Sequence, residues 1–440
     1  MNAVFALIVF LAFGFAAARQ LFAVPDSSGV SPMAALSTAM VESAGSAVEL
    51  AIGLVGVMTL FLGLMKVVEE GGMLKIISRL IRPLMIRLFP DVPPDHPAMG
   101  AMILNLSANA LGLGNAATPF GIKAMQALDT LNTEKGTATN AMALFLAINT
   151  SSVTLLPTGV IAIRAAAGSA DPAAILPTTL FATVGSTFVA ILSARLYQRF
   201  SSAGTGEHAG EPMPAPAAGS ENIPPDTNIL DGDTAEEQDT GAYPLWVSVC
   251  ALGAVAALIP AAILYGAAAS PWILPSLMTG FLLFGVWKKV PIYESFVLGA
   301  KEGFQVALRI IPYMVAILVA VGMFRASGGL DFLTGILGRA TSLVGLPPEA
   351  LPMALMRPLS GSGAYGIMAS IINDPAIGPD SYTGMLVSTL QGSTETSFYV
   401  MAVYFGAVGV KRVRHALAAA LTADLAGVIF AVLACSLFLV

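Results

Sequence analysis

Two stretches decide the fold of this 440-residue chain: "ELAIGLVGVMTLFLGLMKVVEEGG" (Glu49–Gly72) and "VALRIIPYMVAILVAVGMFRASGG" (Val306–Gly329). Each is a mostly apolar run closed by Gly-Gly, and about 17–25 such residues cross the hydrocarbon of a bilayer as a helix. The two align without a gap. Further blocks follow in the same order. "PPDHPAMGAM" (Pro93–Met102) faces "PPEALPMALM" (Pro347–Met356), with prolines, acid and Met-x-x-Met spacing in register. "NTSSVTLLP" (Asn149–Pro157) faces "QGSTETSFY" (Gln391–Tyr399), and "TTLFATVG" (Thr178–Gly185) faces "LTADLAG" (Leu421–Gly427). An internal repeat in a membrane chain is a mark of transporter-type folds.

Composition agrees. The chain is 56% hydrophobic and 11% charged, where soluble domains carry about 25% charged residues. The spans expected are 2–23, 46–66, 173–196, 244–265, 271–287, 309–325 and 416–440, with interrupted stretches near 98–128, 139–163, 350–373 and 384–410. The first could be mistaken for a signal peptide. Without a basic leading region it reads as a retained helix. Cys250 and Cys435 lie in apolar runs and say nothing of redox compartment. Ser201–Ala242 holds nine acidic residues, five prolines and no Lys or Arg, the composition of a disordered linker. Without it the remaining 18 acidic residues face 21 basic ones, so net charge implies no basic or acidic partner, and no nucleic acid. The expected organisation is an N-terminal helix and loop (1–39), a first repeat (40–200), the linker (201–242), a transmembrane hairpin (243–289) and a second repeat (290–440).

Positive charge favours the cytoplasmic side. Lys66, Lys75, Arg79, Arg82 and Arg87 follow the first repeat's opening helix, whereas Lys288, Lys289, Lys301 and Arg309 precede its counterpart. The later loop of the first half carries only Arg164; its counterpart carries Lys411, Arg412 and Arg414. Half one ends in Arg195 and Arg199, half two in "CSLFLV". The clusters swap ends, which predicts inverted topology and a cytoplasmic linker. The fold class is therefore an all-α polytopic membrane protein of two inverted-topology repeats with broken or re-entrant helices. "MLKIISRLIRPLMIRLF" (Met73–Phe89) reads as an amphipathic helix on the cytoplasmic interface, touching membrane lipids.

Four polar interruptions carry the functional signal. In "NLSANALGLGNAATP", Asn105 and Asn109 share a helical face, Asn115 follows, and glycines with Pro119 break the helix. Broken backbone at membrane depth survives only inside protein or against a water-filled cavity, where half-helix ends bind polar solutes or ions. "GLGNAA" matches a dinucleotide pattern, but no strand precedes it. The second interruption is Asn149, Thr150, Ser151 and Ser152. The third is "RPLSGSGAYG", with Ser360, Ser362 and Arg357, an arginine that binds an anion, pairs with an acid, or snorkels to the interface. The fourth is Gln391, Ser393, Thr394, Glu395 and Thr396. A charge mid-membrane costs roughly 2.5–3.5 kcal/mol. Glu395 therefore either faces a solute or ion, or pairs with Arg357. Asp424 is the other acid within a span and a candidate coupling group with Glu395; Glu49 is a third. His96 and His415 sit at loop edges. No catalytic triad or zinc-spaced set is present in the membrane part, so an enzyme and a metal or organic cofactor are not expected.

The residues also carry a resemblance. "VPPDHPAMGAM" with "NLSANALGLGNAATPFGIKAMQALDTLN" resembles the spore maturation protein A family. "GLPPEALPMALMRPLSGSGAYGIM" and "QGSTETSFYVMAVYFGAVGVKRVRHAL" resemble the spore maturation protein B family. Together they cover most of 40–200 and 290–435, as if the two were fused. Both belong to the nucleoside-recognition gate group, which includes concentrative nucleoside transporters. The resemblance implies a multi-pass protein of the bacterial cytoplasmic membrane. It matches Gln391, Thr394 and Glu395 to a nucleobase-contacting motif whose residue order differs. The expected function is a secondary-transporter-like protein. It binds a small polar solute, nucleoside-like or otherwise, at a midplane site between the repeats, coupled to H⁺ or Na⁺. The alternatives are a non-transporting assembly factor of spore or envelope maturation and a lipid-precursor translocator. A homo-oligomer is left open.

Overall fold

The computed structural model describes residues 2–22, 31–112, 114–201, 243–330, 332, 335–336, 341 and 344–438. The acidic linker thus lies outside the described residues. The described chain is helical: α1 (Asn2–Phe22), α2 (Pro32–Glu70), α3 (Met73–Leu88), α4 (Pro97–Ala110), α5 (Gly114–Thr130), α6 (Asn140–Thr150), α7 (Thr158–Ala166), α8 (Ile175–Gln198), α9 (Leu245–Trp287), α10 (Ile292–Ala326), α11 (Leu351–Met356), α12 (Gly361–Ile372), α13 (Tyr382–Ser393), α14 (Ser397–Gly406) and α15 (Ala416–Phe438). With α1, α8 and α15 long and apolar enough to cross a bilayer, it is an all-α polytopic membrane protein.

Helices α2 and α10 have 39 and 35 residues, well beyond the expected spans 46–66 and 309–325. The acids and lysines at their ends are good helix formers, so nothing stops propagation. Pro119 also differs from expectation: it lies inside α5, and the chain breaks earlier, at Gly112. The 43 residues of α9 are helical throughout, where two spans were expected. Straight, they would measure about 65 Å. Yet both ends meet the α2–α3 corner: Tyr243 N donates to Arg79 O, while Gly285 packs on Val67 and Phe284 on Gly71. The run therefore turns back within itself.

The equivalent helices of the two repeats pack antiparallel. On α2 and α10, Gly299 meets Leu62 and Lys66, Gly303 meets Met58, and Gly322 meets Ser43. On α8 and α15, Gly185 meets Phe430, Gly427 meets Ser186, and Tyr197 bonds Thr422 at 3.0 Å. Opposite-running partners are what an inverted repeat requires.

Two apolar cores stack along α8 and α15. One gathers Val160, Ile161, Ile175, Ile367, Leu386, Leu390 and Val432. The other gathers Met85, Met102, Phe145, Ala190, Met401, Phe405 and Ala419. Hence α6 lies in one core and α7 in the other, while α13 and α14 occupy them in the opposite order. The segments α6–α7 and α13–α14 are discontinuous transmembrane helices rather than re-entrant hairpins. At 11 and 9 residues, α6 and α7 together rise about 30 Å, one bilayer core. Their breaks lie at mid-depth, level with Ser186 and Thr187 in the middle of α8.

The two ends are closed alike. Gly136 and Gly378 both hold positive φ, and Thr139 and Ser381 cap α6 and α13. Each cap loop is gripped by the arginine loop of the other repeat. Arg414 Nη1 donates to Ala138 O at 3.0 Å; Arg164 Nη1 donates to Pro379 O at 2.6 Å.

Candidate functional site

The unwound residues 151–157 and 394–396 interrupt the two helices at the same level, and the second meets the end of α6: Glu395 N donates to Thr150 O at 2.8 Å. The other interruptions converge there. Leu155 N donates to Ala110 O at 2.9 Å, and a Cβ on Gly112 (φ +76°) would overlap Leu156 O. Phe398 N donates to Pro358 O at 3.2 Å. The antiparallel crossing places the carbonyl end of α6 beside the amide end of α14, and the carbonyl end of α13 beside the amide end of α7. Opposed helix dipoles offset each other there.

Charges sit where these ends call for them. Arg357, between α11 and α12, is buried and donates from Nη1 to Thr396 Oγ1 (3.1 Å) and from Nη2 to the Thr394 carbonyl at the end of α13. A cation there compensates unpaired carbonyls. Arg357 does not snorkel. It also pairs with Glu395 at 3.6 Å, with side chains 7% and 48% exposed respectively. Glu395 thus has an ion partner and is half-exposed. Asp424 accepts from Ser397 Oγ, at the amide end of α14, at 2.7 Å.

The first repeat closes its break with neutral groups. Asn109 Nδ2 donates to Asn149 Oδ1 at 2.9 Å, Asn105 Nδ2 donates to Ala117 O (2.8 Å) and to Tyr404 Oη (3.0 Å), and Tyr404 Oη reaches Asn149 Oδ1 at 3.4 Å. Thr150 and Ser151 bond back to Ala147 O. The Ser151 carbonyl accepts from Thr187 Oγ1, and the buried Ser152 accepts at its carbonyl from Thr154. In the second repeat, Ser360 caps α12 through Gly363 N at 3.0 Å. The Ser393 carbonyl accepts from Ser186 Oγ at 3.5 Å. Ser362 is part-exposed on the first turn of α12. The side chain of Asn115 lies outside the described residues.

Five buried polar atoms around the crossing lack a protein partner: Asn105 Oδ1, Thr179 Oγ1, Arg357 Nε, Gln391 Oε1 and Asp424 Oδ1. Thr179 lies against Gly392, and Tyr365 bonds the Gln391 side chain. A buried polar atom left unmatched costs about 1–3 kcal/mol. The cavities of about 320 and 420 Å³ lie elsewhere, around the cap of α6. Among the described residues, no His, Cys, Asp or Glu cluster has the makings of a metal site.

Sequence reasoning missed Tyr404, Tyr365, Arg164 with Asp380, and the α8 hydroxyls. The last were legible: Thr179, Thr183 and Thr187 recur every four residues on one helical face. Tyr404 stands alone in an apolar run and gave no signal.

The comparisons with known proteins fit this geometry. The family model described as "Gate: Nucleoside recognition" matches residues 51–167 and 307–411, just over half the chain. The chain is 50% identical over 161 residues to spore maturation protein B of Bacillus subtilis (37% of this chain, 89% of that protein). It is 47% identical over 162 residues to spore maturation protein A of the same organism (37% and 83%). It is 30% identical over 96 residues to the inner membrane protein YjiG of Escherichia coli K12 (22% and 63%). No solved structure matches.

Proposed function

We propose a function from one premise: the chain belongs to the nucleoside-recognition Gate family. It acts as a secondary-transporter-like protein that binds a small polar solute where the two broken helices cross. The carrying observation is the Thr150–Glu395 contact, together with three buried acceptor atoms on the same broken segments and their neighbours, Gln391 Oε1, Asn105 Oδ1 and Asp424 Oδ1, that have no protein partner. Acceptors of this kind suit a solute rich in N–H and O–H donors, the class to which nucleosides belong. Glu395 and Asp424 are the coupling groups for H⁺ or Na⁺, since each acid sits at the amide end of α14 with one oxygen free of strong partners. Alternating access would exchange the two end closures, at Arg414 and at Arg164. The end carrying α3, Arg195, Arg199 and Lys411–Arg414 faces the cytoplasm of a bacterial inner membrane by the positive-charge rule, which also places the linker there.

The test is binding and flux of radiolabelled nucleosides and related polar solutes in proteoliposomes, with wild type and Glu395→Gln compared. Saturable uptake that the variant loses supports the reading. Indistinguishable, substrate-independent leakage from both overturns it.

A second reading, a non-transporting factor of spore or envelope maturation, is favoured by the Asn105–Tyr404–Asn149–Asn109 network, whose side chains bond mainly to one another. The names of the Bacillus relatives point the same way. Co-purification of a stoichiometric protein partner from native membranes, with no solute binding, would select it.

A further inference from the structure

The cavity of about 420 Å³ at the basic end is lined by Arg87, Arg195, Gln198 and Arg199, and also by Asp91 and Asn140. These groups come from three segments distant in sequence: the end of α3, the last turn of α8 and the start of α6. Among the described residues, none of the three arginines pairs with a carboxylate. Arg195 spends one N–H on Leu88 O at 3.3 Å. Three guanidiniums lining one hollow leave about two net positive charges after Asp91 is counted, and the forked donors of Arg match the oxygens of a phosphate.

The surroundings select the source of that phosphate. Phe188, Leu192, Leu196 and Phe200 form an exposed apolar stripe along α8, one residue every turn, that runs into the same end. Arg195 and Arg199 flank its last turn. An acyl chain lying on the stripe would bring a headgroup phosphate level with the cavity. Beside it, α3 alternates apolar and basic residues, the pattern of a helix lying at the interface.

We propose that this cavity is a binding site for the phosphate of an anionic phospholipid, seated with its chains on the α8 stripe. It is separate from the crossing site: no residue is shared, and it needs no transport activity. A basic residue near an anionic membrane surface strengthens binding about fivefold, so three act on the order of 100-fold together.

The experiment is native mass spectrometry of the purified full chain in detergent, titrated with phosphatidylglycerol, phosphatidylcholine or inorganic phosphate. The wild type is compared with Arg87→Gln/Arg195→Gln/Arg199→Gln, and with the control Lys288→Gln/Lys289→Gln/Lys301→Gln. Expected is a stoichiometric phosphatidylglycerol adduct, favoured over phosphatidylcholine, that the arginine variant loses on the order of 100-fold and the control keeps. Equal loss in both variants would reduce the effect to bulk charge and overturn the site. Retention of inorganic phosphate without a lipid preference would overturn the lipid assignment. If the triple variant does not fold, Arg199→Gln alone is read in the same way, with about a fivefold loss expected.

Discussion

Replacing Asp380 with alanine should destabilise the chain far more than its own exposure implies. Asp380 is 45% exposed, but its partner Arg164 is 0% exposed. The carboxylate accepts from Arg164 Nη2 at 2.9 Å, Ser169 Oγ at 2.5 Å and Ala170 N at 2.8 Å. Its removal leaves a buried guanidinium hydrogen-bonded only to neutral groups, the carbonyls of Pro172, Pro379 and Asp171 and two hydroxyls, with the Asp171 carboxylate as its remaining nearby charge. Stripping the partner from a fully buried ion costs about 3–5 kcal/mol. Solvent beside Asp380 and the remaining carbonyls bring this to about 2 kcal/mol, a shift of roughly 30-fold in the folded ratio. The control lies at the other end of the molecule. Arg412–Glu134 is a longer pair, 3.6 Å, with side chains 50% and 57% exposed; Glu134→Ala should cost under about 0.5 kcal/mol. Equilibrium unfolding of both variants by SDS titration in mixed micelles measures the difference. Equal costs, within about 0.5 kcal/mol, would refute the reasoning, because Arg164 would then not depend on Asp380 for its burial.

Four further variants probe the crossing and the closed ends. Gly112→Ala should abolish folding, since its φ of +76° is joined by an overlap with Leu156 O, whereas Gly168→Ala, with the same φ and open space around it, should cost only about 1–2 kcal/mol; yields of monodisperse protein compare them. Tyr404→Phe keeps the ring on Phe145, 6.0 Å between centroids, and loses the hydroxyl that serves Asn105 and Asn149; a loss of about 1–2 kcal/mol is expected on unfolding, and a neutral outcome would show that the network is idle. His415, in the loop before α15, has its pKa lowered from 6.5 by burial and by Arg414. A lowered pKa means that the folded state resists protonation. The stability His415 contributes is therefore present above about pH 6.5 and falls as pH drops through and below that value, and His415→Gln should flatten the profile between pH about 7.5 and about 5.5.

Much of this was legible in the sequence because it rests on local composition. Apolar runs gave the membrane class, repeated blocks gave two halves, and the migration of Lys and Arg between loop ends gave their inversion. Asn105, Asn149, Gln391 and Glu395 stood out because polar groups in hydrocarbon are costly and must be explained. What was not legible depends on which distant segments meet. The sequence shows hairpin-like interruptions; that α6 and α7 lie in opposite cores follows only from packing. Arg164 looked like an ordinary loop charge, since nothing around it in sequence reveals that Asp380, 216 positions later, receives it. Tyr404 joins the Asn network across 299 residues.

The repeats are alike in scaffold and unlike in charge, and the crossing explains why. By the register of the repeated blocks, the counterpart of Arg357 is Ile103 and that of Glu395 is Val153. One half thus has an apolar pair where the other has an ion pair. Because the breaks are in backbone contact through Thr150 and Glu395, a symmetric copy would bring a second carboxylate close to the first. Two like charges 4–6 Å apart cost about 3–4 kcal/mol at an effective dielectric constant of about 20, against a total stability of about 5–15 kcal/mol. A second carboxylate without its own arginine would therefore take a large share of that stability. The neutral half supplies the hydrogen-bonded set of Asn105, Asn109 and Asn149, and the charged half supplies the Arg357–Glu395 pair. Exchanging the pairs, with Ile103→Arg and Val153→Glu in place of Arg357→Ile and Glu395→Val, should move that chemistry to the other break rather than duplicate it. Adding Val153→Glu alone, while keeping Arg357 and Glu395, should destabilise the chain by about 3–4 kcal/mol in the same SDS titration.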